Sequence, residues 1–138
     1  MKRVLFVIMV MAHVAAFAHE PIIIPTPQSV TMAEGCYTIS PKTTIFSFNI
    51  ELQPLVDYCV AEIGLTKSSK HGDIEFIIDD YLEAEEYRLI VSEEGVVIRG
   101  GDYGGLFNGV MTLLQLLPAN VYNGGLTGSA EVVCCEIS

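Results

Sequence analysis

Three groups of residues have types and spacings that could support chemistry. The first is "GGDYGGLFNGVMTLLQLLP", residues 100–118, where glycines crowd the start and leucines crowd the end. A strand, a glycine-rich turn and a helix start can bind an anion at the helix N-terminus. The second is "DDYLEAEE", Asp79 to Glu86, a run of carboxylates of the kind used in acid–base work or weak cation binding. The third is the set of four cysteines, Cys36, Cys59, Cys134 and Cys135, with His71 as the one histidine in the body of the domain.

None of the three meets the full requirement of its chemistry. In the glycine stretch the third position of a G-x-G-x-x-G pattern is Asp102, and no Lys-Ser or Lys-Thr follows, so neither phosphate-loop pattern is present. Asp102 stands where an N-cap belongs, and a carboxylate there caps the first amides and repels phosphate. The acidic run has no EF-hand spacing and reads as a solvated loop between strands. The cysteines contain no CxxC pair, and with His71 alone they are too few for a zinc site. They read as small core or strand residues. Adjacent Cys134 and Cys135 are geometrically a poor pair, and any other pairing cannot be read from the sequence. No cofactor and no metal are expected.

The elements around these groups alternate between two periods. Prolines 21, 25 and 27 make "HEPIIIPTPQSV" an extended lead-in or edge strand. "GCYTIS" and "TTIFSF" (Thr43 to Phe48) are strand candidates. Leu52, Leu55, Val56, Cys59 and Ile63 recur at helical spacing, with Pro54 in the first turn and Gly64 at the stop, which predicts a helix over 52–63. "TKSSKHG" reads as a polar loop. "DIEFIID" alternates, with Ile74, Phe76 and Ile78 on one face. "YRLIV" and "VVIRG" flank "SEEG", a hairpin with Gly95 at its turn. A loop and a last strand, "EVVCCEI", follow the second helix. The predicted fold is α+β: a small, mainly antiparallel sheet with two helices packed on one face.

The second helix carries more apolar surface than a single sheet needs. At 100° per residue, Asn108, Thr112 and Gln115 share one narrow sector, and Leu106, Phe107, Val110, Met111, Leu113, Leu114, Leu116 and Leu117 fill an arc of roughly 220°. The first helix can cover part of this surplus, and the remainder predicts a partner surface outside the chain. Gly104, Gly105 and Gly109 weaken the helix by about 1 kcal/mol each, and the compensation expected is close approach of another backbone.

The chain begins with Lys2 and Arg3, an apolar run from Val4, and Ala16-Phe17-Ala18. This reads as a secretory signal, residues 1–18, cleaved between Ala18 and His19, leaving one domain over 19–138 and no membrane segment afterwards. The expected location is exported, in a bacterial periplasm or secreted. A net charge of −10 disfavours nucleic acid and anionic membranes as partners.

"PIIIPTPQSV" together with "EEYRLIVSEEGVVIRGGDYGGLFNGVMTLLQLLP" resembles the N-terminal domain of family 20 β-N-acetylhexosaminidases. Pro25 and Pro27 match the lead-in of that family. Tyr87, Leu89, Val91, Gly95 and Ile98 match its hairpin. Asp102, Gly105, Leu106, Phe107, Gly109, Thr112, Leu113, Leu114, Gln115 and Leu116 match its helix. The helix motif is shared with a few other exo-glycosidase families. The resemblance implies a small sheet whose two helices pack on a (β/α)8 catalytic barrel, here through Leu106, Phe107, Val110, Leu113, Leu114 and Leu117. It also implies that catalysis belongs to that barrel, where a neighbouring Asp and Glu orient the substrate's 2-acetamido group and protonate the leaving oxygen. This chain has no Asp-Glu dipeptide, and "EVVCCEIS" stops before the segment that starts the barrel, so no catalytic residue carries over. The expectation is a non-catalytic, barrel-stabilising domain of an exported β-N-acetylhexosaminidase, inactive alone and meeting glycan only through a barrel in cis. The alternatives are a free-standing exported binding module, weakly supported in a chain without Trp, and the same domain from another exo-glycosidase family.

Overall fold

The computed structural model describes residues 21–119, 121 and 125–138. The predicted signal and its Ala18–His19 cleavage site lie outside these residues, as does Tyr122.

Seven strands form one sheet: β1 (Val30–Ile39), β2 (Thr44–Phe46), β3 (Thr66–Lys67), β4 (Ile74–Ile78), β5 (Tyr87–Ser92), β6 (Gly95–Gly100) and β7 (Ala130–Ile137), in the order β1-β7-β5-β6-β4-β2-β3. The two longest ladders, β1 with β7 and β5 with β6, are antiparallel, and so is β5 with β7. Three parallel ladders, β4 with β6, β2 with β4 and β2 with β3, extend the other half. Two helices, α1 (Gln53–Ile63) and α2 (Tyr103–Leu116), lie on one face, so the fold is the α+β layer that the periodicities predict. A 3-10 turn, Ile50–Leu52, leads into α1, Pro54 sits in its first turn, and Gly64 ends it in the left-handed conformation.

Alternation sets the inner face. Ile74 and Phe76 of β4, Leu89 and Val91 of β5, and Val96 and Ile98 of β6 are buried and join Leu55, Val56, Cys59 and Ile63 of α1 in one core. The outer face is mixed. Arg88 pairs with Glu136 at 3.3 Å and Arg99 with Asp79 at 3.4 Å, beside half-buried Ile77, Ile90 and Val97. The polar loop expected at "TKSSKHG" contributes the edge strand β3, where Thr66 and Lys67 pair with Thr44 and Ile45. Two exposed polar residues carry no strand period, so the tertiary ladder alone fixes them.

The sheet ends with a local closure. The Ser29 amide donates to the Ser138 carbonyl at 3.0 Å, and the Ser138 amide donates to the Ser29 carbonyl at 3.1 Å. The lead-in before β1 and the end of β7 therefore leave the sheet side by side.

Candidate interaction surface

The glycine stretch and the acidic run, read separately in the sequence, pack on each other. Asp102 is the N-cap of α2, and its Oδ1 accepts the Gly105 amide at 2.7 Å. The same oxygen accepts the Glu85 amide at 3.0 Å, and the Glu85 carbonyl accepts the Asn108 side-chain amide at 3.2 Å. These two contacts hold Glu85 in a left-handed turn with φ at 66°. The Gly101 amide donates to the Glu86 carbonyl at 3.0 Å. A β-carbon on Gly105 would collide with the Glu86 carbonyl oxygen, and one on Gly101 with the Glu83 carbonyl oxygen. Of the three glycines expected to admit a close backbone, Gly105 does so, against the chain's own 82–86 loop, whereas Gly104 and Gly109 meet side chains. The helix N-terminus is occupied by Asp102, which leaves it no anion-binding role.

The amide hydrogen bonds from Gly105 and then Glu85 hold the Asp102 carboxyl below its ordinary pKa. A group depressed in the folded state stabilises fully above its unfolded pKa and stops contributing as pH falls through the folded one. Asp102→Ala is therefore expected to lower Tm by about 5 °C near neutral pH. The difference from wild type should vanish at strongly acidic pH in a thermal-unfolding series.

Further along α2, each motif position has a structural use. Gly109 lies against Ile98 and Tyr87. The Thr112 hydroxyl bonds the Tyr87 hydroxyl at 2.8 Å, and Thr112 is buried while Asn108 and Gln115, which share its sector of the wheel, are exposed. Gln115 clasps the lead-in: its Oε1 accepts the Ile24 amide at 2.8 Å and its Nε2 donates to the Ile24 carbonyl at 3.0 Å. Gln115→Leu removes both bonds. We expect at least a tenfold faster proteolytic clipping around residues 22–28, with core stability changed by less than about 1 kcal/mol.

The predicted barrel-facing set needs correction. Leu106, Val110, Leu113, Leu114 and Leu117 are buried within this domain. The reason is coverage: α1, Ile23 of the lead-in and Val121 beyond α2 belong to the same buried cluster, and the Leu126 amide ties the loop after α2 to the Ile63 carbonyl at 2.8 Å. The chain's own segments take up most of the surplus arc. Of the six predicted residues only Phe107 is open, at 40% exposure.

What the helix layer does present is an aromatic ridge. Tyr103, Phe107, Met111 and Gln115 follow one another at the i, i+4 spacing that lines one helix face. Tyr58 of α1 joins it, its ring 6.3 Å from that of Phe107. Tyr58 and Tyr103 are 36% and 45% exposed, and Ile24, held by Gln115, is open at the far end. In the sequence the tyrosines, Tyr58 and Tyr103 among them, form no obvious row, because a ridge that joins two helices has no period along the chain. The available signal for Tyr58 was its place off the Leu55, Val56, Cys59 and Ile63 stripe of α1.

This ridge has the chemistry of a contact surface. Among the described residues no three His, Cys, Asp or Glu side chains come together to hold a metal ion, and no helix is long and apolar enough to cross a membrane. His71 is exposed in the loop before β4. An open cleft of about 470 Å³ lies between Pro25, Pro27, Glu85, Tyr87 and Ser138, next to the lead-in.

Comparison with known proteins agrees with this layout. Residues 20–138 match the family described as "Glycosyl hydrolase family 20, domain 2". A beta-hexosaminidase of Porphyromonas gingivalis is 35% identical over 111 residues, covering 72% of this chain and 14% of that protein. Among solved structures, the N-acetyl-beta-hexosaminidase of Streptomyces plicatus superposes with a TM-score of 0.73 at 30% identity, over 83% of this chain and 25% of that one. The family 20 beta-N-acetylhexosaminidase of Streptomyces coelicolor gives 0.72 at 31%, over 86% and 27%. The chain thus spans about a seventh of the curated relative and about a quarter of the solved ones. With the match running over every described residue, the chain belongs to the glycosyl hydrolase family 20, domain 2 family.

Proposed function

We propose that this chain is the non-catalytic domain of an exported β-N-acetylhexosaminidase, which removes terminal N-acetylhexosamine from glycans, and that it packs on and stabilises a (β/α)8 barrel in cis. The observation that carries the reading is the aromatic ridge. Tyr58, Tyr103 and Phe107 stay open on the helix layer although the domain has covered nearly all of its other helix leucines. Large exposed aromatics gathered on one face suit a partner surface. The family supports the partner's kind, since the relatives named above are hexosaminidases several times longer than the matched region.

The test is the native size in the source cells, by immunoblot against residues 21–138. A band several times larger than this chain supports the barrel in cis. A band of the chain's own size or slightly less overturns it in favour of a separate binding module. The purified chain should not hydrolyse a chromogenic N-acetyl-β-glucosaminide. Turnover that co-purifies with it and disappears on substitution of one of its own residues would remove the non-catalytic assignment.

A further inference from the structure

The cysteines, set aside as core residues, fall into two groups once strand register is applied. Cys135 pairs with Met32 on one side and Val91 on the other, and belongs to the core with Ile137. Val132, paired with Tyr37, also belongs to the core. Inward positions 132 and 135 are three apart, so the alternation breaks between them beside the register shift, and Cys134, buried without joining the core cluster, is assigned with Val133 to the outer face. Across the ladder, Cys36 pairs with Val133 and precedes inward-packed Tyr37, which puts Cys36 on the same outer face. The register shift between Met32 and Cys36 places the bulge Ala33–Gly35 opposite Cys134, with Gly35 left-handed at φ 92°.

Cys36 and Cys134 are therefore diagonal neighbours on one face of an antiparallel pair. A directly opposed pair is about 5 Å apart and one step along a strand is about 3.4 Å, so their Cα atoms stand about 6 Å apart, within the range a disulfide spans. Two acidic side chains border the site. Glu93, at the tip of the β5–β6 turn, lies over Gly35, and Glu131, paired with Thr38 two residues along β1, is near enough to raise the Cys36 thiol. Cys36 senses Cys134 electrostatically, and both sense Glu93, which agrees with the register.

We propose that Cys36 and Cys134 are a disulfide-forming pair that staples the edge strand β1 to β7. The oxidant class is a small-molecule disulfide. The thiolate of half-buried Cys36 attacks one of its sulfurs, forming a mixed disulfide and releasing one thiol. The Cys134 thiolate then attacks the Cys36 sulfur and releases the second thiol. In sum, two protein thiols give up two protons and two electrons, and the small disulfide is reduced to two thiols. Burial is the largest cause raising all four thiols, Cys59 to about 12 and Cys135 to about 11, so the pair is singled out by geometry: Cys59 and Cys135 point into the core, where no second thiol faces them across the β1–β7 ladder.

The experiment treats the folded full chain with glutathione disulfide at mildly alkaline pH, blocks free thiols by alkylation, and maps tryptic peptides by mass spectrometry. The expected product joins the peptide of Cys36 to that of Cys134 and Cys135, two hydrogens lighter than their sum. Backbone fragmentation between Cys134 and Cys135 should place the bond on Cys134. Cross-linking should raise Tm by about 10 °C, reversed by dithiothreitol. Cys134→Ser should abolish the link and Cys135→Ser should keep it. The fragmentation result stands without either variant if one fails to fold. Four free thiols, a stable glutathione adduct on Cys36, or a bond through Cys59 or Cys135 would overturn the proposal.

Discussion

Gly105→Ala should cost about 3 kcal/mol, whereas Gly104→Ala, one residue away, should be neutral or slightly stabilising. Both exchanges gain helix propensity, so the difference is the space each new methyl meets. At Gly104 the nearest neighbour is Asp102 Oδ1 at 3.3 Å, which is held by the Gly105 and Glu85 amides but has to give by only a few tenths of an ångström. At Gly105 it is the Glu86 carbonyl oxygen, a backbone atom that also accepts from the Gly101 amide. That carbonyl cannot retreat without undoing the 82–86 loop and the cap that Asp102 shares with Glu85. Gly109→Ala should fall between, at about 1.5 kcal/mol, because it meets side chains rather than backbone, although the buried Ile98 methyl it strikes has to be displaced within the core. Urea unfolding of the three variants checks the order. A Gly105→Ala protein as stable as wild type would mean that the acidic loop does not dock on α2.

Leu114→Glu should abolish folding at room temperature, while Phe107→Glu should leave the domain folded and less prone to self-association. Leu114 is 4% exposed, and a carboxylate forced into that site must be desolvated without a partner or held neutral, at a cost of several kcal/mol. Phe107 already meets solvent, so its exchange should change stability by about 1 kcal/mol or less while removing the centre of the aromatic ridge. Circular dichroism separates the two variants, and light scattering reads the association. In a longer protein that carries the barrel, Phe107→Glu should also shorten the thermal half-life of activity and leave KM unchanged. Loss of folding in Phe107→Glu would show that the ridge is part of the core.

The contrast between these two residues marks how far the sequence could be read. Element types were legible wherever a period was long. The alternation of Ile74, Phe76 and Ile78, the helical spacing from Leu52 to Ile63, and Asp102 ahead of α2 each state a local rule that the fold obeys. The 220° arc of α2 was also real, but a wheel shows only that apolar surface must be covered, not by what. Val121, Ile23 and α1 cover it here, and none of them is close to α2 on a helical wheel. Likewise β3 has no pattern of its own, and the docking of the acidic run on the glycines joins segments about twenty residues apart. The site was legible in its motif and not in its exposed residues, because exposure is what remains after every other segment has packed.

The mutual hydrogen bonds of Ser29 and Ser138 have a mechanical consequence. Val30 is paired with Ile137, so the first residue of β1 lies beside the last of β7. Tension applied between the lead-in and Ser138 would load the ladder one pair at a time, as a zipper opens, rather than across all its bonds at once. Peeling would run through Thr31 and Met32 and reach the bulge, where Cys36 and Cys134 adjoin. With that pair oxidised, the opening would stop there, and the force would pass into the rest of the sheet instead of detaching its edge.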